Sequence, residues 1–418
     1  MIPRKKLDVG LSHLLYGMAC SFWPGSREAM QQRLEELWAP NSLACLSVRS
    51  GFDAAVEAME LPLGSEVLVS ALNLRPMPKI LQMHGLVPVP IDLDTSTLAM
   101  KRDVLERAVS EKTRAILVAQ LLGSRLHLDE IIDFAKKHDL VVIEDSAQAF
   151  TGDDYRGHPE SDVSMFSFGP IKTCCTMIGG MLRFKDKTIL DRAKQIQAKQ
   201  PIHNRWAFFG RCLRYAYLKA LSNRISYTVT MRLVYWAGCE NSIVNKQVQS
   251  FRGSDPEHFR RQPSYPMLAL LKHRLKTFKG ESVKKRLAAA ETVIKNMPGV
   301  RRPAQDAPFH SHWIFPVLSS DPQELVEHLR RKGYDTTAGY SSFVVFDPPE
   351  GYEEFYPEEA KHAMDHVVYL PVYGGLSQRE LENLGKAVAE FEAAQAEQER
   401  PKDLEPEPQV PHVEKVTT

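Results

Sequence analysis

The sequence predicts an α/β protein with a mainly parallel sheet and a second, smaller α/β unit toward the C-terminus. Three observations carry that prediction. Short apolar runs rich in β-branched residues, at 66–70, 87–91, 114–120 and 140–143, alternate with helical stretches long enough for parallel crossovers. The run at 140–143 is apolar throughout, as in strands buried on both faces. The alternation resumes at 313–318 and 367–372, around a helix opened by Asp321-Pro322 and ended by Gly333.

The chain has 418 residues, 43% of them hydrophobic, enough for a large core and two domains. A net charge of +1 gives no global drive toward nucleic acid. Six cysteines show no metal-type spacing, and Cys174-Cys175 are adjacent, a poor geometry for a bridge. Reduced thiols, a cytoplasmic location and no metal are the expectation. The first 18 residues lack the continuous apolar core of a signal peptide, and no run of 18 apolar residues predicts a spanning helix.

In order, an arm precedes an amphipathic helix at 26–38, and 43–48 leads to a turn, Ser50-Gly51-Phe52, which feeds a helix at 54–61. Free N–H groups at a helix start make an anion site, although the same residues also suit an ordinary helix cap. Helices at 101–110 and 127–138 separate the strands that follow. The run at 140–143 ends in Glu144-Asp145, and the alternation 163–168 leads into Gly169-Pro170-Ile171-Lys172. Ligands sit at the carboxyl ends of strands in such sheets. An acid and a lysine at two of those ends suit a pyridine cofactor, the acid keeping the ring nitrogen protonated and the lysine forming the Schiff base. Alone, Asp145 is equally a turn former and Lys172 a surface lysine. The small, uncharged residues after Lys172 predict a sheltered amine with a lowered pKa. Helices at 267–278 and 282–297 follow, and Ser377 with Glu380 is a capping box for the last helix.

The strand-end Glu144–Ala149 segment EDSAQA, the FSF at 166–168 and a lysine four residues later together resemble the DegT/DnrJ/EryC1/StrS group. The likeness runs from about Leu46 to about Val388, weakest near 195–262. It implies a pyridoxal-phosphate transferase of fold type I, with a seven-stranded-type large-domain sheet. It implies that Lys172 holds pyridoxal 5'-phosphate, Asp145 faces the ring nitrogen and Gln148 lies over the ring. Ser167 and the backbone of Ser50, Gly51 and Phe52 would hold the phosphate. The chain departs from the family at Phe52 in place of a hydroxyl residue, at Leu74 in place of a stacking aromatic, where it would cover the cofactor ring by apolar contact, and at Gln120 in place of a histidine. It departs again at Ser264 and Pro266, in a segment that reaches the neighbouring subunit's cofactor. A homodimer is therefore implied. The retained lysine sets the chain apart from the family's dehydratase branch.

Between Arg192 and Gly238 there are nine Lys or Arg and no acid, interleaved with aromatics such as Trp206, Phe209 and Tyr217. This pattern suits peripheral contact of 205–236 with an anionic membrane, a polyphosphate substrate, or a helical insertion whose aromatics pack internally or across a dimer interface. The division expected is an arm and helix at 1–40, a cofactor-binding large domain at 41–190, an insertion at 191–262, a helix with the small domain at 263–396, and a disordered tail at 397–418. The function expected is transamination of a keto group on a sugar nucleotide or lipid-linked sugar, with glutamate or glutamine as donor. The alternative is a non-catalytic, membrane-associated scaffold or binding protein on the same fold.

Overall fold

A computed structural model describes residues 1–221, 223–236, 256–339 and 343–398. Two helices come first, α1 (Leu11–Phe22) and α2 (Arg27–Trp38), the second capped by Ser26, whose Oγ accepts from Ala29 N. Strand β1 (Ser42–Cys45) leads into α3 (Val48–Met59). There follow β2 (Glu66–Ser70), β3 (Leu72–Leu74), α4 (Pro76–Met83), β4 (Val87–Ile91) and α5 (Arg102–Ala108). Next are β5 (Thr113–Ala119), β6 (Ser124–Arg125), α6 (Asp129–Lys137), β7 (Val141–Asp145), β8 (Val163–Ser167) and β9 (Gly180–Phe184).

Seven of these strands form one sheet in the order β1-β9-β8-β7-β5-β2-β4. β9 runs antiparallel to both β1 and β8; every other pairing is parallel. Val67, Val69, Leu117 and Ile143 fill one face and Leu68, Ile116, Val118 and Val142 the other. Burial on both faces explains why these strands read as continuous apolar runs.

The 191–262 segment is mostly helical where described, with α7 (Lys187–Ala198) leading through a short non-helical stretch into α8 (Arg205–Leu221), α9 (Arg224–Trp236) and α10 (Pro256–Phe259). Then come α11 (Tyr265–Thr277), α12 (Glu281–Lys295) and β10 (Phe309–His310), which pairs with β6. The C-terminal unit is an antiparallel sheet, β11 (Phe315–Leu318), β14 (Val367–Leu370) and β12 (Thr337–Ala338). α12, α13 (Pro322–Arg331) and α15 (Gln378–Gln398) pack on it through Val293, Leu325, Leu329 and Leu384. β13 (Phe343–Val345) pairs with β3, and α14 (Glu358–Asp365) precedes β14. Residues 399–418, most of the expected tail, lie outside the described residues, and α15 extends past its expected start.

Two expectations are corrected. The helix expected at 54–61 begins at Val48, because Ser47 caps it: Ser50 N donates to Ser47 Oγ at 3.3 Å and Ser47 N to Ser50 Oγ at 2.9 Å. The strand expected at 313–318 starts only at Phe315, leaving Trp313 outside it.

Phe52 is fully buried in the core between α3 and the sheet. Gly51 is fixed by packing, since a Cβ there would meet Leu182 Cδ1 at 2.4 Å. We predict that Phe52→Ala lowers unfolding free energy by about 3–5 kcal/mol in chemical denaturation. A change of under about 1 kcal/mol would mean that Phe52 is not a core residue.

Candidate functional site

Asp145 is the last residue of β7, where the sheet opens at its carboxyl edge. It is buried, and its Oδ1 accepts from Ala147 N at 3.0 Å. Burial raises its pKa above the ordinary carboxylate value, with the Ala147 N–H and the Lys172 charge opposing. Glu144 beside it faces the other way into a buried polar hub. Its carboxylate accepts from Ser146 Oγ at 2.5 Å, Tyr155 OH at 2.6 Å and His158 N at 2.7 Å. Gln120 joins that hub, its Nε2 lying 3.4 Å from Glu144 Oε1, while its Oε1 accepts from Leu126 N at 2.7 Å. Gln120 is thus a structural tie between β5, β7 and the turn before α6.

Lys172 follows β8 after a tight turn closed by its own N–H to Gly169 O at 3.2 Å. Its Nζ sits 4.0 Å from the centroid of the Trp313 ring. Burial lowers its pKa to about 7, with the Asp145 charge opposing. Much of this amine is therefore neutral near neutrality, the state a nucleophile needs. Trp313 is pinned across the lysine by Nε1 donating to Ile171 O at 2.8 Å.

Sequence reasoning missed three neighbours. Lys5, from the N-terminal arm, lies 4.2 Å from the Trp313 ring, and burial first, then the Lys172 and Arg286 charges, hold its pKa well below the lysine range. Arg286 of α12 donates to Ser311 O at 2.8 Å, with its pKa lowered to about 10 by burial. Asp8 accepts from Cys174 N at 2.7 Å, tying the arm to the loop after Lys172. Lys5 gave no local signal, because its contact spans 308 residues of sequence.

The other expected residues divide. Ser167, Gly180 and Cys45 form one row across β8, β9 and β1, so Ser167 and the start of α3 flank Gly180. A Cβ on Gly180 would meet the Val48 N at 2.8 Å, so this approach requires glycine. Ser167 Oγ is half-buried, with only a 3.4 Å contact from Gly169 N. Gln148 is buried nearby, its Oε1 accepting from Leu122 N at 2.8 Å.

The residues of the expected cradle, Ser50, Gly51 and Phe52, lie inside the first turns of α3. Gly51 N donates to Ser47 O at 3.1 Å, Ser50 Oγ to Ser47 O at 2.8 Å, and Phe52 is in the core. The helix starts one turn early, so the amide at its first position belongs to Val48. Leu74 lies opposite Phe343 in the β3–β13 pair and packs against both central clusters, a core role. Ser264 and Pro266 are buried within this chain.

The strand-end donor set therefore fits the ring and amine end of a pyridine cofactor: an anchored buried acid and a sheltered lysine, covered by an indole. At the phosphate end, Ser167 and the first turn of α3 fit an anion. Because Lys172 has its midpoint near 7, its acylation by an amine reagent should rise through that pH and level off before exposed lysines do. Asp145→Asn should move the midpoint lower, since the Asp145 charge raises it. Peptide mass spectrometry across a pH series reads both; a midpoint for Lys172 near the ordinary lysine value would contradict the sheltered amine.

Residues 29–209 match the DegT/DnrJ/EryC1/StrS aminotransferase family. GDP-perosamine synthase of Escherichia coli O157:H7 is 33% identical over 180 residues, 41% of this chain and 49% of that protein. UDP-4-amino-4-deoxy-L-arabinose--oxoglutarate aminotransferase of Shewanella sediminis is 26% identical over 176 residues, 42% of this chain and 45% of that protein. The chain thus matches about half the length of these curated relatives. Among solved structures, the aminotransferase TlmJ from Streptoalloteichus hindustanus aligns with a TM-score of 0.68 at 20% identity, over 95% of this chain and all of that one. DesV from S. venezuelae, solved in complex with a ketimine intermediate, aligns with a TM-score of 0.64 at 19% identity, over 91% and 94%. At those identities the structures establish the fold alone, an α/β architecture with a mostly parallel central sheet. Over residues 29–209, the chain is thus similar to the DegT/DnrJ/EryC1/StrS aminotransferase family.

Proposed function

We propose that the protein is a pyridoxal 5'-phosphate-dependent aminotransferase that converts a keto group to an amine. The substrate is a sugar nucleotide or a lipid-linked sugar, and the donor glutamate or glutamine. One observation carries the reading: Lys172, with its pKa lowered to about 7, lies beside the buried Asp145 at neighbouring strand ends. Relatives matched over about half their length, named GDP-perosamine synthase and UDP-4-amino-4-deoxy-L-arabinose--oxoglutarate aminotransferase, support the substrate class.

When bound, the cofactor supplies an electron sink for the carbon next to the transferred nitrogen. Lys172 Nζ would hold it and, once displaced, would move a proton at that carbon. Asp145, oriented by the Ala147 N–H, would keep the ring nitrogen protonated. Ser167 and the Val48 N–H would take the phosphate, and Gln148 would lie over the ring. Trp313 would exclude water from Lys172. We further propose that the enzyme works as a homodimer, with domains divided at about 41, 191 and 263. The cations of 205–236 would give it peripheral contact with an anionic membrane.

The test uses a panel of nucleotide-linked keto sugars with glutamate or glutamine. Wild type should aminate at least one of them and Lys172→Ala none. Asp145→Asn should slow turnover roughly a hundredfold or more with its fold intact, as expected for loss of an acid–base partner. Unchanged turnover in Asp145→Asn would leave that residue a structural cap. A chain that takes up no cofactor would instead be a binding protein on this fold.

A further inference from the structure

α1 and α8 lie side by side, with Leu14 and Gly17 of α1 turned toward Phe208 and Cys212 of α8. A Cβ on Gly17 would sit 3.0 Å from Cys212 Sγ, so the helices approach closely there. At one end the Phe22 ring meets those of Trp206 at 5.1 Å and Phe209 at 5.6 Å. The outer faces are apolar and exposed. Leu11, Leu15 and Phe22 fall within about 40° of arc on a helix of 3.6 residues per turn. Trp206, Leu213 and Tyr217 do the same on α8. Leu15 is 62% exposed, and Trp23, just past α1, is 64% exposed. A contiguous apolar face of this kind marks an interaction site.

The charge around the stripe selects the partner. α1 carries no Lys, Arg or acid; α8 places Arg205 and Arg214 on either side of its stripe. α9 repeats the pattern, with Val229, Leu233 and Trp236 exposed on one face beside Arg232. None of the three helices contains an acid. A two-fold contact between copies would set this basic rim against itself, which disfavours a second copy as the occupant. An anionic lipid surface satisfies both the apolar stripe and its cations.

We propose that α1 and α8 form a two-helix wedge that inserts its apolar stripe into the interfacial layer of an anionic bilayer, with Arg205 and Arg214 on lipid phosphates. This rests on the peripheral-contact reading of 205–236 and deepens it, because α1 joins the surface and the contact becomes apolar as well as electrostatic. No helix among the described residues is long and apolar enough to cross a membrane, so the wedge lies in one leaflet.

The test is co-sedimentation with vesicles of phosphatidylglycerol and phosphatidylcholine, or of phosphatidylcholine alone, at low and high salt. Tryptophan quenching by brominated acyl chains reports insertion. Wild type should bind the anionic vesicles, keep part of that binding at high salt and be quenched. Leu15→Glu with Leu213→Glu should lose quenching and bind roughly tenfold or more weakly, with an unchanged melting temperature since both sites are exposed. Salt-reversible binding without quenching would overturn the wedge and leave the electrostatic contact standing. No binding to any vesicle would overturn both. Loss of a dimer in the double variant, seen by light scattering, without lipid binding by wild type would assign the face to a second copy and overturn the wedge.

Discussion

Removing the Lys172 amine from water, next to a buried carboxylate, is the constraint on which the rest of the site depends. A lysine in water stays charged; burial favours the neutral amine, and the Asp145 charge pulls the other way, leaving the midpoint at about 7. That balance requires both groups at the same edge of the sheet. The parallel pairing of β7 with β8 provides it, with Asp145 opposite Met165 and the lysine loop leaving β8 shortly after. Trp313, though far away in sequence, lies across the lysine, held by its Nε1 donating to Ile171 O. The Glu144 hub then anchors the loop after β7 without touching the amine, so two adjacent acids have separate duties.

The opposite end of the site shows how a small local change moves a function. Ser47 and Ser50 form a reciprocal cap, and the helix gains a turn. Two of the three amides expected to face an anion, those of Ser50 and Gly51, bond back to Ser47 at the helix start, while the Phe52 side chain joins the core. What remains for an anion is Ser167 and the leading edge of α3, brought together around Gly180. At the lysine end, the N-terminal arm adds Lys5 beside Trp313 and Asp8 at the loop after Lys172, an addition made by this chain outside the family-matched segment.

The strands were legible because burial on both faces writes itself as unbroken apolar runs, and Asp145 and Lys172 were legible because they end two of them. Helix starts were less so: at Ser47 the cap is a pair of serines three apart, a pattern that also fits a turn. Trp313 was hidden by its place at the head of an apparent strand, where an indole reads as core. Lys5 and Arg286 belong to the site only through tertiary approach, which no local pattern encodes. The basic aromatic segment was visible as composition. That three of its cations pair with acids elsewhere, Arg192 with Glu60, Lys194 with Glu35 and Arg224 with Glu380, was not. Nor was the joining of α1 to its apolar face.

The central claim, that the amine sheltered beside Asp145 is the one that carries the cofactor, is tested most directly by reductive trapping. The purified protein is incubated with pyridoxal 5'-phosphate, treated with borohydride, digested and read by mass spectrometry. The account predicts one pyridoxyl adduct per chain, on the peptide containing Lys172, with none in Lys172→Ala. An adduct spread over exposed lysines, or a Lys172 peptide left unmodified while the folded protein is saturated with cofactor, would contradict it.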